Sequence, residues 1–268
     1  MGKPIIFTDL DGTLIDFKTY SFERIKDTVE KLTTKGIPIV FCSSKTRVEQ
    51  AYYREALNND HPFITENGSA IFVPKDYFNF QFDFQKVIGN YKVIELGVDY
   101  DTIRKTIIAA RENTKVVNFG YADLTLEEIS SIIKLPDEAA KRAATRDYTE
   151  TIIKGDVSSS AFEAFKEELL NNNLVCVSGG KYHTVMGKQS DKGKAVEKLA
   201  SLYQQAFGEI TTIGLGDSAN DQPLLRTVDK AFLVQKPGNY WEEMEIDGLN
   251  KVRGIGPEGW VISTSFLI

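Results

Sequence analysis

Short uninterrupted apolar runs alternate along this chain with segments whose apolar residues recur every third or fourth position. The runs read as buried strands and the longer period as amphipathic helices. Ile5-Ile6-Phe7 predicts a first strand. Phe22, Ile25, Val29 and Leu32 predict a helix, with Ser21 as its N-cap and Gly36 as its stop. Ile37–Cys42 predicts a second strand, and strand, helix, strand implies a right-handed parallel crossover. A helix over 48–57 follows. Pro62–Val73 then reads as strand, turn, strand, with Asn67-Gly68 as a tight-hairpin signal, and the aromatic run Tyr77–Phe84 as strand-like.

The pattern changes between residues 84 and 187. Strands are expected near 93–96, 116–121 and 151–153, with helices marked by Ile103, Ile107 and Ala110, by the Thr125/Glu128 capping box, by an Asp137 cap, and by Phe162, Phe165 and Leu169. Leu174–Ser178, Gly179-Gly180 and Lys181–Met186 read as a hairpin. Parallel-type elements then resume. Asp191 caps a helix that Gly208 closes, Ile210–Ile213 and Ala231–Val234 are buried strands, and Trp260–Thr264 is an edge strand or closes the core. The organisation expected is an α/β core over 1–83 and 188–268, with an α+β domain over 84–187 inserted into it.

Composition narrows the function classes. With 268 residues, 42% hydrophobic and 26% charged, the chain is an ordinary globular sequence, and its net charge of −6 argues against binding nucleic acid through bulk positive field. Cys42 and Cys176 lie in apolar runs and read as free buried thiols. No run approaches transmembrane length, the N-terminal apolar run is too short for a secretory signal, and a cytoplasmic location without membrane contact is expected.

The candidate chemistry begins at Asp9-Leu10-Asp11-Gly12-Thr13, directly after the first strand. Residues two apart on an extended backbone point to the same side, so Asp9 and Asp11 meet at a strand's carboxyl end, where open α/β sheets bind ligands. Paired carboxylates repel unless a cation or a proton joins them, and Mg²⁺ suits two carboxylates plus phosphate oxygens. Gly12 and Thr13 do not fit an EF-hand loop. A second acidic cluster, Gly216-Asp217-Ser218-Ala219-Asn220-Asp221, follows the strand at 210–213. Asp217 stands where a dinucleotide's pyrophosphate would sit, which excludes that fingerprint. Each aspartate alone has a bland role, as a turn residue or a helix cap; together they support phosphoryl transfer. Asp9 is then a nucleophile, Asp11 the acid and base, and Asp9, Asp217 and the Asp11 carbonyl the ligands of Mg²⁺. Ser43 and a lysine would hold phosphate oxygens.

Asp9-Leu-Asp-Gly-Thr13, Ser43, Lys192 in Ser190-Asp-Lys-Gly193, and Gly216–Asp221 resemble the four ordered motifs of the haloacid-dehalogenase superfamily of phosphohydrolases. The resemblance implies a Rossmann-like parallel-sheet core with a cap formed by the inserted domain. It implies catalytic Asp9, Asp11, Ser43 and Lys192, metal ligands Asp9, Asp11 and Asp217, and Asp221 and Asn220 in a second layer around the metal. Lys188 is the rival to Lys192. Ser43-Ser-Lys-Thr-Arg47, Glu66-Asn-Gly68, Arg146-Asp-Tyr-Thr-Glu150 and Ser218–Leu225 further resemble mannosyl-3-phosphoglycerate phosphatases, some relatives of which accept the glucosyl analogue. That implies a small glycosyl phosphate carrying a carboxylate, met by Ser44, Lys45, Arg47, Gly179, Gly180 and Lys181. A phosphatase of hexose or sucrose phosphates, a phosphomutase and a non-enzymatic regulator are the competing readings. Intact acid clusters rank the regulator last.

Overall fold

The computed structural model describes residues 2–153, 155, 157–179 and 182–268. In chain order the elements are β1 (Lys3–Thr8), α1 (Lys26–Thr34), β2 (Ile39–Phe41), α2 (Arg47–Ala56), β3 (Phe63–Thr65), β4 (Ala70–Pro74), β5 (Lys86–Ile88) and β6 (Tyr91–Glu95). Next come α3 (Tyr100–Thr114), β7 (Phe119–Gly120), α4 (Leu126–Ile133), α5 (Asp137–Ala144), β8 (Thr149–Ile153), α6 (Ser159–Asn171), β9 (Leu174–Gly179) and β10 (Tyr182–Gly187). The chain closes with α7 (Lys192–Phe207), β11 (Ile210–Gly216), α8 (Gln222–Thr227), β12 (Lys230–Gln235), β13 (Asn250–Ile255) and α9 (Pro257–Thr264). One compact unit comprises the chain up to Ser44, Tyr53–Ile94 and Asp191–Ile268; the other comprises Lys45–Tyr52 and Glu95–Ser190. The first unit thus runs to Ile94, past residue 83, and a short piece of α2 groups with the second.

The first unit is built on a parallel sheet in the order β13-β12-β11-β1-β2. β1 lies between β11 and β2 and is covered on both faces, which is why Ile5, Ile6 and Phe7 form an unbroken apolar run with no exposed surface. Asp191 caps α7 by accepting a 2.7 Å bond from the Lys194 amide. Gly36, at φ 65°, closes the end of α1 while the Ile37 amide reaches back to the Leu32 carbonyl. β3-β4-β6-β5 form a second, separate sheet.

Several local expectations differ from the structure. Ser21 does not cap α1, because a 3₁₀ turn at Glu23–Ile25 leads into it. The loop at Asn67-Gly68 has four residues, since Thr65 pairs with Ala70, and it contains a 3₁₀ turn. Tyr77–Phe84 forms no strand; Phe78 stacks on Phe80 and meets the Tyr203 ring of α7 edge-on. Alternating rings imitate a strand's period although they pack on one another. Trp260–Thr264 is helical, with Pro257 in the first turn after Gly256 at φ 51°, and the edge strand is β13.

In the second unit an antiparallel sheet, β7-β8-β10-β9, is covered by α3 and α6. Ile103, Ile107, Phe162, Phe165, Leu169, Ile152 and Val185 form its core. The strand expected over 116–121 shrinks to Phe119–Gly120, because Tyr121–Asp123 turns as 3₁₀. The Thr125/Glu128 capping box is present at the start of α4. Asp137 is the first residue of α5, not its cap. Cys42 is buried and Cys176 half-buried, both as free thiols.

Candidate active site

Sheet register assembles the site. Thr8 of β1 pairs with Leu215 of β11, so the residues that leave these strands emerge side by side. Asp9 and Asp217 are among them. One carboxylate oxygen from each of Asp9, Asp217 and Asp221 lies within 4.8 Å of the others, and all three residues are buried. Gly12, at φ 79°, makes this approach possible, because a Cβ there would stand 2.9 Å from Asp217 Oδ2. Gly216 does the same for Asp221, whose Cβ would lie 2.5 Å from a Cβ at 216.

Lys192, in the first turn of α7, reaches this group from the third segment of the unit. Its Nζ donates 2.6 Å bonds to Asp9 Oδ1 and Asp221 Oδ1, and the residue is 1% exposed. Lys188, the rival lysine, is exposed in a turn of the second unit. Asp221 is fully engaged, since its Oδ2 accepts the Asp217 and Ser218 amides at 3.0 Å each. Thr13 Oγ1 lies 3.4 Å from Asp217 Oδ1. Asp11 is half-buried two residues beyond Asp9.

Burial raises the Asp9 carboxyl well above the ordinary range, and the Asp221 charge adds to this; the Lys192 ammonium opposes it, while Asp217 and Asp11 reinforce it. Asp217 is pushed up to about 7 by burial and then by Asp221, against the Ser218 bond, Lys236 and Lys192. For Lys192 burial pulls downward, but Asp221 and Asp9 overcome it and hold the amine firmly protonated. One ammonium therefore faces an excess of carboxylate. The donor set is all oxygen and carries surplus negative charge, which fits a hard divalent cation such as Mg²⁺.

Ser43, at the end of β2, is buried; its amide donates to the Ile64 carbonyl and its carbonyl accepts from the Asn67 amide. Ser44 is the last residue before the chain enters the second unit. Lys45 and Arg47 belong to that second unit, where each holds a carboxylate. Lys45 Nζ is 3.3 Å from Glu49, and Arg47 Nε is 3.1 Å from Asp147. Gly179 ends β9 opposite Tyr182, and Gly180 and Lys181 lie outside the described residues.

The turn Glu66-Asn67-Gly68, whose local signal is only that of a hairpin loop, lies at this site. All three residues have positive φ, at 47°, 60° and 88°. Gly68 leaves no room for a side chain, since a Cβ would lie 2.1 Å from the Asp191 carbonyl oxygen, next to Lys192. Asn67 also accepts a 3.3 Å bond from Asn220. The turn thus touches the Ser43, Lys192 and Asn220 segments together. Backbone strain of this kind persists only where its surroundings impose it, and it clusters at working sites.

Residues 6–236 match the model of the haloacid dehalogenase-like hydrolases. The chain belongs to that family. It is 44% identical over 259 residues, 96% of this chain and 94% of the relative, to the glucosyl-3-phosphoglycerate/mannosyl-3-phosphoglycerate phosphatase of Methanococcoides burtonii. It is 41% identical over 230 residues, 86% of this chain and 90% of the relative, to the mannosyl-3-phosphoglycerate phosphatase of Pyrococcus horikoshii. Such relatives identify the chain as an enzyme of the phosphatase class. Among solved structures, the Thermoplasma acidophilum 0175 protein superposes with a TM-score of 0.67 at 17% identity, covering 100% of this chain and 99% of its own. The sucrose-phosphatase of Synechocystis superposes with a TM-score of 0.63 at 13% identity, covering 99% and 98%. Both likenesses establish a shared fold: a parallel-sheet core with an additional α+β domain. No helix among the described residues is long and apolar enough to cross a membrane.

Proposed function

We propose that this chain is a cytoplasmic, Mg²⁺-dependent phosphomonoesterase that converts glucosyl- or mannosyl-3-phosphoglycerate into the free glycosylglycerate. The observation that carries the chemistry is Lys192 bonded at 2.6 Å to Asp9, beside Asp217 and Asp221 in one buried acidic group. Near-complete coverage of relatives with that activity supports the substrate class.

Lys192 fixes the orientation of the Asp9 carboxylate by taking one of its oxygens. In the proposed reaction an Asp9 oxygen forms a bond to phosphorus while the bond from phosphorus to the glycerate oxygen breaks. Asp11 gives its proton to the departing alkoxide. Asp11 then takes a proton from water, whose oxygen attacks phosphorus and releases phosphate and free Asp9. Asp9, Asp217 and the Asp11 carbonyl would hold the metal, with Asp221 and Asn220 outside them. This role suits Asp221, both of whose oxygens are already engaged. Bound Mg²⁺ supplies charge that offsets repulsion between carboxylate and phosphate. Ser43 and Lys192 would steady the phosphoryl oxygens.

The inserted α+β domain, residues 84–187 by the sequence pattern, is proposed to act as a cap. Ser44, Lys45, Arg47, Gly179, Gly180 and Lys181 would meet the sugar and the carboxylate. Lys45 and Arg47 would do so by adding the substrate's carboxylate to, or exchanging it for, those of Glu49 and Asp147. The basic test uses p-nitrophenyl phosphate. Hydrolysis is expected with Mg²⁺ and abolition is expected with EDTA or in Asp9→Asn; an Asp9→Asn protein of undiminished turnover overturns the reading.

A further inference from the structure

The segment after residue 236 lies beyond the match to the family model, yet through Trp260 it reaches the nucleophile's strand. Gly256 immediately precedes α9 as its N-cap, and a Cβ there would stand 3.3 Å from the Gly12 carbonyl oxygen, so the helix start rests against the Asp11-Gly12 turn. One turn into α9, Trp260 is wholly buried. Its indole Nε1 donates a 3.1 Å bond to Thr8 Oγ1. Thr8, also without exposed surface, donates a hydrogen bond from its own hydroxyl to the Asp9 carbonyl oxygen at 2.7 Å. Indole has one donor and no acceptor, so the direction of this relay is fixed. The Asp9 amide and the Thr8 carbonyl are already tied into the sheet, through Leu215 and Cys42. The Asp9 carbonyl is where the chain leaves the ladder. The Thr8 hydroxyl, itself held by Trp260, therefore holds the peptide between Asp9 and Leu10.

We infer that Trp260 is a positioning residue for Asp9, acting through the Thr8 hydroxyl. The inference rests on Asp9 being the nucleophile of the reading above. Sub-ångström displacement of a nucleophile costs turnover much more than ground-state binding.

The test uses Trp260→Phe, which keeps a buried ring and deletes the donor, together with Thr8→Val and Thr8→Ser. Turnover of p-nitrophenyl phosphate is measured with Mg²⁺, and amide exchange is followed over residues 9–14. In Trp260→Phe, kcat is expected to fall roughly three- to tenfold with KM within about twofold; in Thr8→Val it falls about tenfold or more. Thr8→Ser, which keeps the hydroxyl, restores near-parental kcat. Because the relay is serial, adding Trp260→Phe to Thr8→Val costs no further kcat. Exchange over 9–14 quickens in both deletion variants and not in Leu202→Ala, a core variant that is destabilised elsewhere. Parental kcat in Trp260→Phe or Thr8→Val, or kcat losses in Leu202→Ala at equal thermal midpoint, overturn the inference. If the parental protein hydrolyses no phosphomonoester, the phosphatase reading fails, and exchange over 9–14 alone decides whether Trp260 braces the strand end. Should Thr8→Val fail to fold, Trp260→Phe and Thr8→Ser carry the decision.

Discussion

Replacing Lys192 with methionine removes one charge from the site and leaves a stem of similar volume. The ammonium it deletes makes two 2.6 Å bonds to Asp9 and Asp221, and the three residues are 1%, 5% and 0% exposed. What remains is a group of three aspartates with ligand oxygens within 4.8 Å of one another and, among the described residues, no protein cation bonded to them. Breaking a buried pair by removing one partner costs roughly 3–5 kcal/mol. At about 2–4 °C per kcal/mol for a chain of this size, the thermal midpoint should fall by roughly 6–20 °C at pH 7.5 in EDTA. Lys194→Met is the control. Its side chain is half exposed and sits 3.6 Å from Asp191, so the expected cost is under about 0.5 kcal/mol. Turnover with Mg²⁺ should drop by roughly 10²- to 10³-fold in Lys192→Met. The gap in stability between parent and variant should narrow in acid, because protonated aspartates no longer repel. Circular dichroism melts and phosphate release read these effects. If Lys192→Met melts with Lys194→Met and retains turnover, the reasoning about this charge cluster is wrong.

Gly68→Ala should cost about 3 kcal/mol or more, since its φ is 88° and its Cβ would lie 2.1 Å from the Asp191 oxygen. Gly36→Ala, at φ 65° in open space, should cost only about 1–2 kcal/mol; equal melts for the two would refute the close-approach argument. His61 lies under Tyr77, with Nδ1 2.6 Å from its hydroxyl, and burial and then Arg54 lower its pKa to about 4. Because the folded state favours neutral His61, this contribution is full above about pH 6.5 and is lost as pH falls toward 4. It amounts to about 2 kcal/mol after allowing for partial exposure. The parent's advantage over His61→Gln should shrink across that window, and a constant difference from pH 4 to 8 would contradict it. Asp217→Asn should melt slightly higher than the parent in EDTA, through relief of repulsion, and should lose the rise in midpoint that Mg²⁺ gives the parent. An unchanged Mg²⁺ response would remove Asp217 from the metal's ligands.

The legible parts of this molecule were those in which one local signal had one structural solution. Ile5–Phe7 is apolar without a break because β1 is covered on both faces. Thr125 with Glu128, and Asp191 before α7, are caps whose side chains find the amides that their spacing offers. Asp9 after one strand and the cluster after another meet because parallel register brings strand ends together; Asp11 stays outside the group. Illegible parts depend on distant packing. Phe78, Phe80 and Phe82 alternate as a strand would, and only contact with Tyr203 reveals a ring cluster. Trp260–Thr264 reads as an edge strand or as closing the core; Trp260 is buried, but Gly256 and Pro257 make the segment a helix. The Glu66–Gly68 turn carries an Asn-Gly signal that a two-residue hairpin would also carry. Its three positive φ values and its contact with Asp191 are not written in any one segment. Lys45 meets Glu49 four residues on, a spacing the sequence already offers, whereas Arg47's partner Asp147 lies 100 residues away and shows only in three dimensions.

The most direct test of the whole account is phosphate release, as kcat/KM with Mg²⁺, from glucosyl- and mannosyl-3-phosphoglycerate beside glucose 6-phosphate and sucrose 6-phosphate. The account predicts that at least one glycosyl-3-phosphoglycerate exceeds both sugar phosphates by roughly a hundredfold, the worth of a site that pairs a substrate carboxylate. Equal turnover of all four, or release from the sugar phosphates alone, would contradict it.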